Sequence, residues 1–328
     1  MAPLHPSATF TLPVSPMTLG HDTQKLVANK YCFHAPQPAI TKMALVVSHS
    51  NGFNKETLEP MISAIVQAIH RQPQYQHTDL CVYSWDARNH GDSALTNRGH
   101  LLETYNWFDH TMDTKQILDY FELAEKYDAV VGVGHSYGAT AMLMLEHMYP
   151  KSFNALCCIE PVLVPDIMET EVRAMSPILS SLKRRDTWPN RAAAFESLNG
   201  RGFWKTFDPE VLQLYVDTAL YDTPEGTVML KTAKEQEYHV FVMGYYTSSI
   251  AYHAVRGVLI PIHFIYADNS TYVPIDPVAE LPAMNPKLVT CVSIPGTHMV
   301  PNEKPESIAP QVLNLLARSL KLSPEARL

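Results

Sequence analysis

The chain has 328 residues, 46% hydrophobic and 18% charged, with 25 basic against 33 acidic side chains and a formal net charge of −8. That length and apolar fraction suit one large α/β core with an insertion, or two domains, either with a sizeable buried interior. The negative balance, with Lys183-Arg184-Arg185 as the longest basic run, argues against a nucleic-acid partner, and no apolar stretch approaches the length of a membrane span.

Residues 1–20 hold four prolines, and no Lys or Arg precedes Lys25. This stretch, to residue 24, reads as a proline-rich arm on the surface or loosely ordered, without the charged start of a signal or transit peptide. Lys25 to Phe33 reads as a strand. Met43 to Ser48 is a short apolar strand buried on both faces. It ends in His49-Ser50-Asn51-Gly52-Phe53-Asn54, and a helix from 55 to 70 follows with Leu58, Ile62, Ile65 and Ile69 on one face.

Leu80 to Ser84 is the next strand, and Asp86 to Ser93 a polar loop after it. A helix over 107–125 leads to the strand Ala129 to Val133, then Gly134-His135-Ser136-Tyr137-Gly138 and an apolar helix. Ala155 to Ile159 forms another buried strand, closing at Glu160-Pro161. Residues 162–257 break this alternation with mostly helical patterns rich in Met, Trp and Tyr, as expected of a helical lid over the sheet's C-terminal edge. Strands resume over 260–266 and 288–294, and a helix over 305–320 closes the chain. Strands alternating with helices imply a mostly parallel sheet covered on both faces, with residues 25–161 and 258–322 as its core. The sequence has no internal repeat.

The chemistry concentrates at Gly134-x-Ser136-x-Gly138. A serine on so sharp a strand-to-helix turn has a strained backbone, and side chains two residues away on either side would collide with the neighbouring strand or helix. The helix N-terminus behind Ser136 aims backbone N–H groups at any charge that develops there. A dinucleotide site is the rival reading, since Gly132-Val133-Gly134 opens like G-x-G-x-x-G and Glu160 ends the next strand. It fails at Tyr137, where the third glycine belongs, and earlier strands precede it.

With Gly134-His135-Ser136-Tyr137-Gly138, Asp86-x-Arg88-x-His90-Gly91-x-Ser93, His49-x-Asn51-Gly52-Phe53 and Pro295-Gly296-Thr297-His298 before Glu303-x-Pro305, residues 40–320 resemble the α/β-hydrolase superfamily. The His-x-Asn-Gly-Phe loop followed by Lys55-Glu56, and the tripeptide Ala326-Arg327-Leu328, are similar to fungal peroxisomal α/β-hydrolases, both lipase-like proteins and enzymes of host-selective toxin clusters. The resemblance implies an α/β-hydrolase fold with a helical lid over 162–257. It implies Ser136 as nucleophile and His298 as general base, with backbone oxyanion donors at Tyr137 and Phe53, Asn51 being the other possibility. His49 is expected to brace its loop, and Asp86, Arg88, His90 and Asp92 to form a hydrogen-bonded polar loop beside the site. The tripeptide implies recognition by the peroxisomal import receptor, and so a peroxisomal matrix location.

The acid departs from the common pattern. Most relatives carry an aspartate in an arrangement like G-x-x-D-x-x-x-P after the strand that follows the lid, and counting back from Pro274 puts Ser270 in that place. Glu160 is the expected acid, because a carboxylate directly after a buried apolar strand needs a partner that His298 supplies. Asp268 is the alternative.

The function expected is hydrolysis of an ester or thioester with an apolar acyl portion, in lipid or fungal secondary-metabolite (toxin) metabolism, without metal or organic cofactor. An acyltransferase or cyclase would use the same residues, and a non-catalytic ligand-binding protein is the reading from outside enzymes. Met168, Met175, Trp188, Phe195, Phe203, Trp204 and Phe207 are expected to roof an apolar pocket. The five cysteines, Cys32, Cys81, Cys157, Cys158 and Cys291, read as buried free thiols of a reducing compartment.

Overall fold

The apolar runs of the sequence become strands of a single sheet. The structure, a computed structural model, describes residues 4–166, 177–271 and 274–319. Eight strands form the main sheet: β1 (Ala8–Pro13), β2 (Lys25–Phe33), β3 (Thr41–Ser48), β4 (Thr78–Asp86), β5 (Ala129–His135), β6 (Ala155–Ile159), β10 (Ile262–Ala267) and β11 (Val289–Ile294). Their spatial order is β1-β2-β4-β3-β5-β6-β10-β11, parallel throughout except that β2 runs against both its neighbours.

Both faces of the central strands are apolar, which is why these strands read as continuous hydrophobic runs. Ala44, Val46, Val130, Leu156 and Cys158 pack into one layer with the helices Trp107–Tyr120, Tyr137–Met148 and Tyr245–Ala254. Met43, Leu45, Val47, Val131, Val133, Ala155 and Cys157 enter the other, against Ile62, Ile65 and Ile69 of helix Glu59–His70 and Val312, Leu315 and Leu316 of helix Ala309–Ser319. Burying such side chains contributes about 1.5–3 kcal/mol each.

The N-terminal stretch, expected as an arm on the surface or loosely ordered, is in part an ordered edge strand. Ala8–Pro13 pairs antiparallel with β2, from Ala8 opposite Lys30 to Pro13 opposite Lys25. Phe10 and Leu12 turn inward while Thr9 and Thr11 face solvent, the period of two expected of an edge strand. Prolines are tolerated there because an edge strand leaves one row of N–H groups unpaired. Beyond β1 the chain is tied down again, with Ser15 N–H donating to Asp113 Oδ1 at 3.0 Å and Arg88 Nη1–H donating to Leu19 O at 2.7 Å.

The polar loop after β4 turns helical over Gly91–Thr96, because the buried Asp86 Oδ2 accepts the Asp92 N–H at 2.8 Å and so satisfies the helix start. β10 begins at Ile262 because Pro261 has no N–H to give the ladder. The insertion is not purely helical. Between its helices β7 (Thr187–Trp188), β8 (Leu220–Asp222) and β9 (Val228–Leu230) form an antiparallel sheet ordered β7-β9-β8. Trp188, Trp204, Phe207, Val211 and Tyr215 make a core of its own, which the Phe53 ring joins. Met168, Met175 and the tripeptide Ala326-Arg327-Leu328 lie outside the described residues.

The cysteines divide. Cys157 and Cys158 are buried, Cys81 and Cys291 half-buried, and Cys32 is exposed, because its place on β2 faces outward. Cys32 and Cys81 occupy paired positions with Sγ atoms 3.0 Å apart. Among the described residues no helix is long and apolar enough to cross a membrane.

Candidate active site

Three strand ends converge. Ser136 follows β5 in the left-handed half of backbone space, at φ 57° and ψ −127°. The flanking glycines permit this turn: a Cβ on Gly134 would lie 2.5 Å from Ala139 Cα, and one on Gly138 would lie 2.6 Å from His49 O and 2.4 Å from Ser48 Oγ. The Ser136 N–H donates to Ile159 O at 2.9 Å, tying the turn to β6.

Glu160 follows β6, also at positive φ (50°), and is 1% exposed. Its Oε1 accepts the Ala267 N–H at 2.5 Å, and its Oε2 accepts the Ser270 hydroxyl at 2.5 Å and the His298 Nδ1–H at 2.9 Å. His298 sits on the turn after β11, where Glu303 takes the Thr297 N–H at 2.9 Å and the Thr297 hydroxyl at 2.6 Å. Its Nε2 lies 2.9 Å from Ser136 Oγ. With the imidazole proton on Nδ1 and committed to Glu160, Nε2 is left as the acceptor facing the serine hydroxyl.

The structure thus brings Ser136, His298 and Glu160 together and leaves Asp268 outside the chain of bonds. Asp268 is exposed, and its Oδ1 accepts the Gly296 N–H at 3.1 Å and the Asn269 side chain at 2.8 Å, the work of a turn former. Ser270, which occupies the usual acid's place in sequence, donates its hydroxyl to Glu160 instead. The count back from Pro274 already pointed at Ser270, but its partner was not legible.

Behind Ser136, His135 donates Nε2–H to His298 O at 2.7 Å, a contact the sequence did not suggest. Burial pushes the His135 pKa down to about 3, so it is neutral. His49 braces its loop as expected, donating Nδ1–H to Ser50 O at 2.8 Å and accepting the Ala87 N–H on Nε2 at 3.0 Å, and burial lowers its pKa to about 4.

The loop amides sort themselves by what they already bond. The Gly52 N–H is taken by His90 Nε2 at 2.9 Å, and the Phe53 N–H closes a turn onto Ser50 O at 3.3 Å. The Asn51 N–H has no acceptor among the described residues. The Tyr137 N–H opens its helix, where no intrahelical acceptor exists. Of the two expected loop donors, the Asn51 N–H is the one left without an acceptor among the described residues.

The Asp86 loop is the hydrogen-bonded polar cluster expected beside the site. Fully buried Lys55 places Nζ 2.8 Å from Asp86, 2.7 Å from Asp92 and 2.6 Å from Glu56. Burial works against its ammonium form, but these carboxylates hold its pKa well above the ordinary value. Arg88 is likewise paired with Asp113, at 2.6 Å. Among the described residues no group of three or more His, Cys, Asp or Glu is arranged to hold a metal ion.

Ser136 and His298 open into a cavity of about 780 Å³, within the range of small-molecule sites. Its wall joins core residues Asn51, Phe53 and Met299 to Trp188, Leu198, Phe203, Trp204 and Phe241 of the insertion. Of the expected roof residues, Trp188, Phe203 and Trp204 line the cavity, while Phe195 and Phe207 pack in the insertion's own core.

A strained serine between two glycines at a strand end, a histidine after the last strand and mixed sheet topology define a hydrolase-type α/β protein. The chain belongs to the alpha/beta hydrolase family, whose model matches residues 45–311. Among curated proteins it is 28% identical over 191 residues to the type I acyl-CoA thioesterase mpaH of Penicillium roqueforti, covering 58% of this chain and 42% of that one. It is 27% identical over 191 residues to the peroxisomal membrane protein LPX1 of Saccharomyces cerevisiae, covering 54% and 48% of the two chains. An abhydrolase domain-containing protein of Alternaria alternata, AFT2-1, is 29% identical over 114 residues, covering 33% and 42%. The matched stretches span less than half the length of these curated relatives. In solved structures, the yeast peroxisomal α/β-hydrolase Lpx1 superposes with a TM-score of 0.74 at 21% identity, over 94% of this chain and 86% of that one.

Proposed function

We propose that the protein is a serine hydrolase that cleaves an ester or thioester with an apolar acyl portion through an acyl-enzyme. The observation that carries this reading is the continuous chain Glu160–His298–Ser136, with both bonds to the imidazole at 2.9 Å, opening on an aromatic-lined cavity. Ser136 Oγ attacks the carbonyl carbon as its proton passes to His298 Nε2. The Tyr137 and Asn51 N–H groups receive the oxyanion, and the imidazolium returns the proton to the departing oxygen or sulfur. Water then enters, gives its proton to His298 and releases the acid from Ser136. Glu160 holds the tautomer and stabilises the imidazolium.

The relatives' names support both halves of the proposal, a thioesterase in one case and a peroxisomal protein in another. Fluorophosphonate labelling of the wild type beside Ser136→Ala tests the nucleophile, with hydrolysis of an activated thioester measured in parallel. Absence of serine-dependent labelling at every pH tried would remove the reading. Residence in the peroxisome belongs to the same proposal, and diffuse fluorescence from an N-terminal fusion would count against it.

A further inference from the structure

The one basic run of the sequence, Lys183-Arg184-Arg185, falls on the cavity rather than on a solvated face remote from it. Arg184 and Arg185 both line the space into which Ser136 and His298 open, and among the described residues the only acid in the wall is Glu237. Arg184 is already spent. Its Nη1 pairs with the Glu237 carboxylate and its Nη2–H donates to Tyr215 OH at 2.6 Å.

Among the described residues Arg185 has no carboxylate partner, although the chain as a whole carries a net charge of −8. The neighbouring acid, Asp186, is held by Lys234 at 3.4 Å and by the Thr187 hydroxyl at 3.0 Å. Arg185 is exposed at the cavity wall yet fixed in place, its Nε–H donating to Thr187 O at 2.8 Å and its guanidinium lying 5.6 Å from the centre of the Trp188 ring. Trp188 is itself part of the wall and 2% exposed, so the cation rests on an immobile aromatic face. The hydrogen bond uses Nε–H and the ring contact only the guanidinium's face, and its Nη donors suit a carboxylate or phosphate.

We propose that Arg185 is a specificity-determining residue that binds an anionic group of the substrate, a phosphate or a carboxylate, remote from the scissile carbonyl. The inference rests on the hydrolase reading above and adds to it the charge of the substrate. The anion has two sources with the same chemistry: the phosphates of a coenzyme A leaving group, or a carboxylate at the far end of the acyl chain. Either way the apolar middle of the substrate passes the aromatic wall, and its charged end meets the guanidinium. No bond is made or broken at Arg185.

The test compares three thioesters of matched acyl length: the acyl-CoA, the neutral acyl-N-acetylcysteamine, and an ω-carboxyacyl-N-acetylcysteamine. In Arg185→Ala the ratio of kcat/KM for one charged thioester to that for the neutral one should fall about 10-fold, mostly through KM, with Arg185→Lys restoring part of it. A fall confined to the CoA ratio assigns the leaving-group phosphates, and a fall confined to the ω-carboxy ratio assigns the acyl carboxylate. The contrast should shrink as salt is raised, because the site is solvent-accessible. Ratios unchanged in both arms overturn the proposal while leaving Ser136 chemistry standing. Calorimetric affinities of Ser136→Ala, with and without Arg185→Ala, for the same compounds read the contact without turnover. Equal losses for charged and neutral thioesters there would likewise overturn it.

Discussion

The two sides of the candidate site are held by different parts of the molecule. Ser136, Glu160 and His298 belong to the sheet: each follows a strand, and ladder-like bonds continue through the first two, from Ser136 N–H to Ile159 O at 2.9 Å and from Glu160 N–H to Ile265 O at 2.7 Å. The loop from Asn51 to Asn54 also follows a strand, yet its outer contacts come from the insertion. Asn51 Nδ2–H donates to Glu237 O at 3.0 Å, and Asn54 Nδ2–H donates to Thr218 Oγ1 at 2.8 Å. The Phe53 ring packs among Tyr215, Trp204 and Phe207 at centroid distances of 5.4, 5.6 and 5.8 Å. A Cβ on Gly52 would come within 3.0 Å of Glu237 Oε1, so the Arg184–Glu237 pair lies directly against the loop. The Ser136–His298–Glu160 side, proposed to move the proton, is thus fixed by the sheet, whereas the Asn51 loop, proposed to receive the oxyanion, is fixed jointly by sheet and insertion.

The largest expected effect lies on the sheet side. Glu160→Gln should lower kcat by about three to four orders of magnitude, because the amide favours the wrong imidazole tautomer. Asp268→Asn should stay within about two-fold of wild type, since the amide oxygen still accepts the Gly296 N–H and an exposed turn residue is tolerant of change. Thermal melts establish that each variant is folded before turnover on an activated ester is compared. Collapse in Asp268→Asn with near-normal Glu160→Gln would transfer the acid role to Asp268 and undo the first half of the comparison.

A smaller effect probes the side tied to the insertion. Asn51→Ala keeps the backbone N–H proposed to meet the oxyanion but removes its tether to Glu237 O. The expected result is a fall in kcat of about 10-fold with KM within about two-fold, because the loop's interaction matters most once negative charge has developed. A variant with unchanged kcat and raised KM would make Asn51 a substrate contact only. In that case the lid would not be a structural part of the anion-receiving side.

The sheet was legible because its strands announce themselves locally: apolar runs of five or six residues, alternated with helical patterns, needed no distant partner to be recognised. The serine and histidine were legible for the same reason, since glycine spacing and strand-end position are local. What the sequence hid were contacts that cross the fold. Phe10 and Leu12 alternate correctly for a strand, but four prolines nearby concealed it. The Gly91–Thr96 helix depends on Asp86 at the end of β4, and Ser270 acquires meaning only when Glu160 arrives beside it. That the Asn51 N–H, unlike those of Gly52 and Phe53, has no acceptor among the described residues is likewise visible only in the folded chain.

An effect read in stability rather than in rate concerns a device that both sides share, the neutral buried histidine. His135 on the sheet side holds the His298 carbonyl, and His49 on the lid side holds the Ser50 carbonyl, with burial lowering their pKa values to about 3 and about 4. In the unfolded chain each would titrate near about 6.5. A group whose folded pKa is depressed contributes stability that is present above the unfolded pKa. That stability is lost as pH falls towards the folded pKa, because the unfolded state takes up the proton first. Between about pH 6.5 and pH 4, therefore, each such histidine should steepen the loss of stability towards about 1.4 kcal/mol per pH unit. His135→Gln retains a donor for the His298 carbonyl but cannot be protonated. Its unfolding free energy, taken from urea titrations at about pH 7 and about pH 5, should fall by roughly 2 kcal/mol less than that of the wild type over the same interval. An identical pH slope in the two proteins would mean that His135 is not held neutral by the fold, and that the contact behind the serine carries no proton linkage.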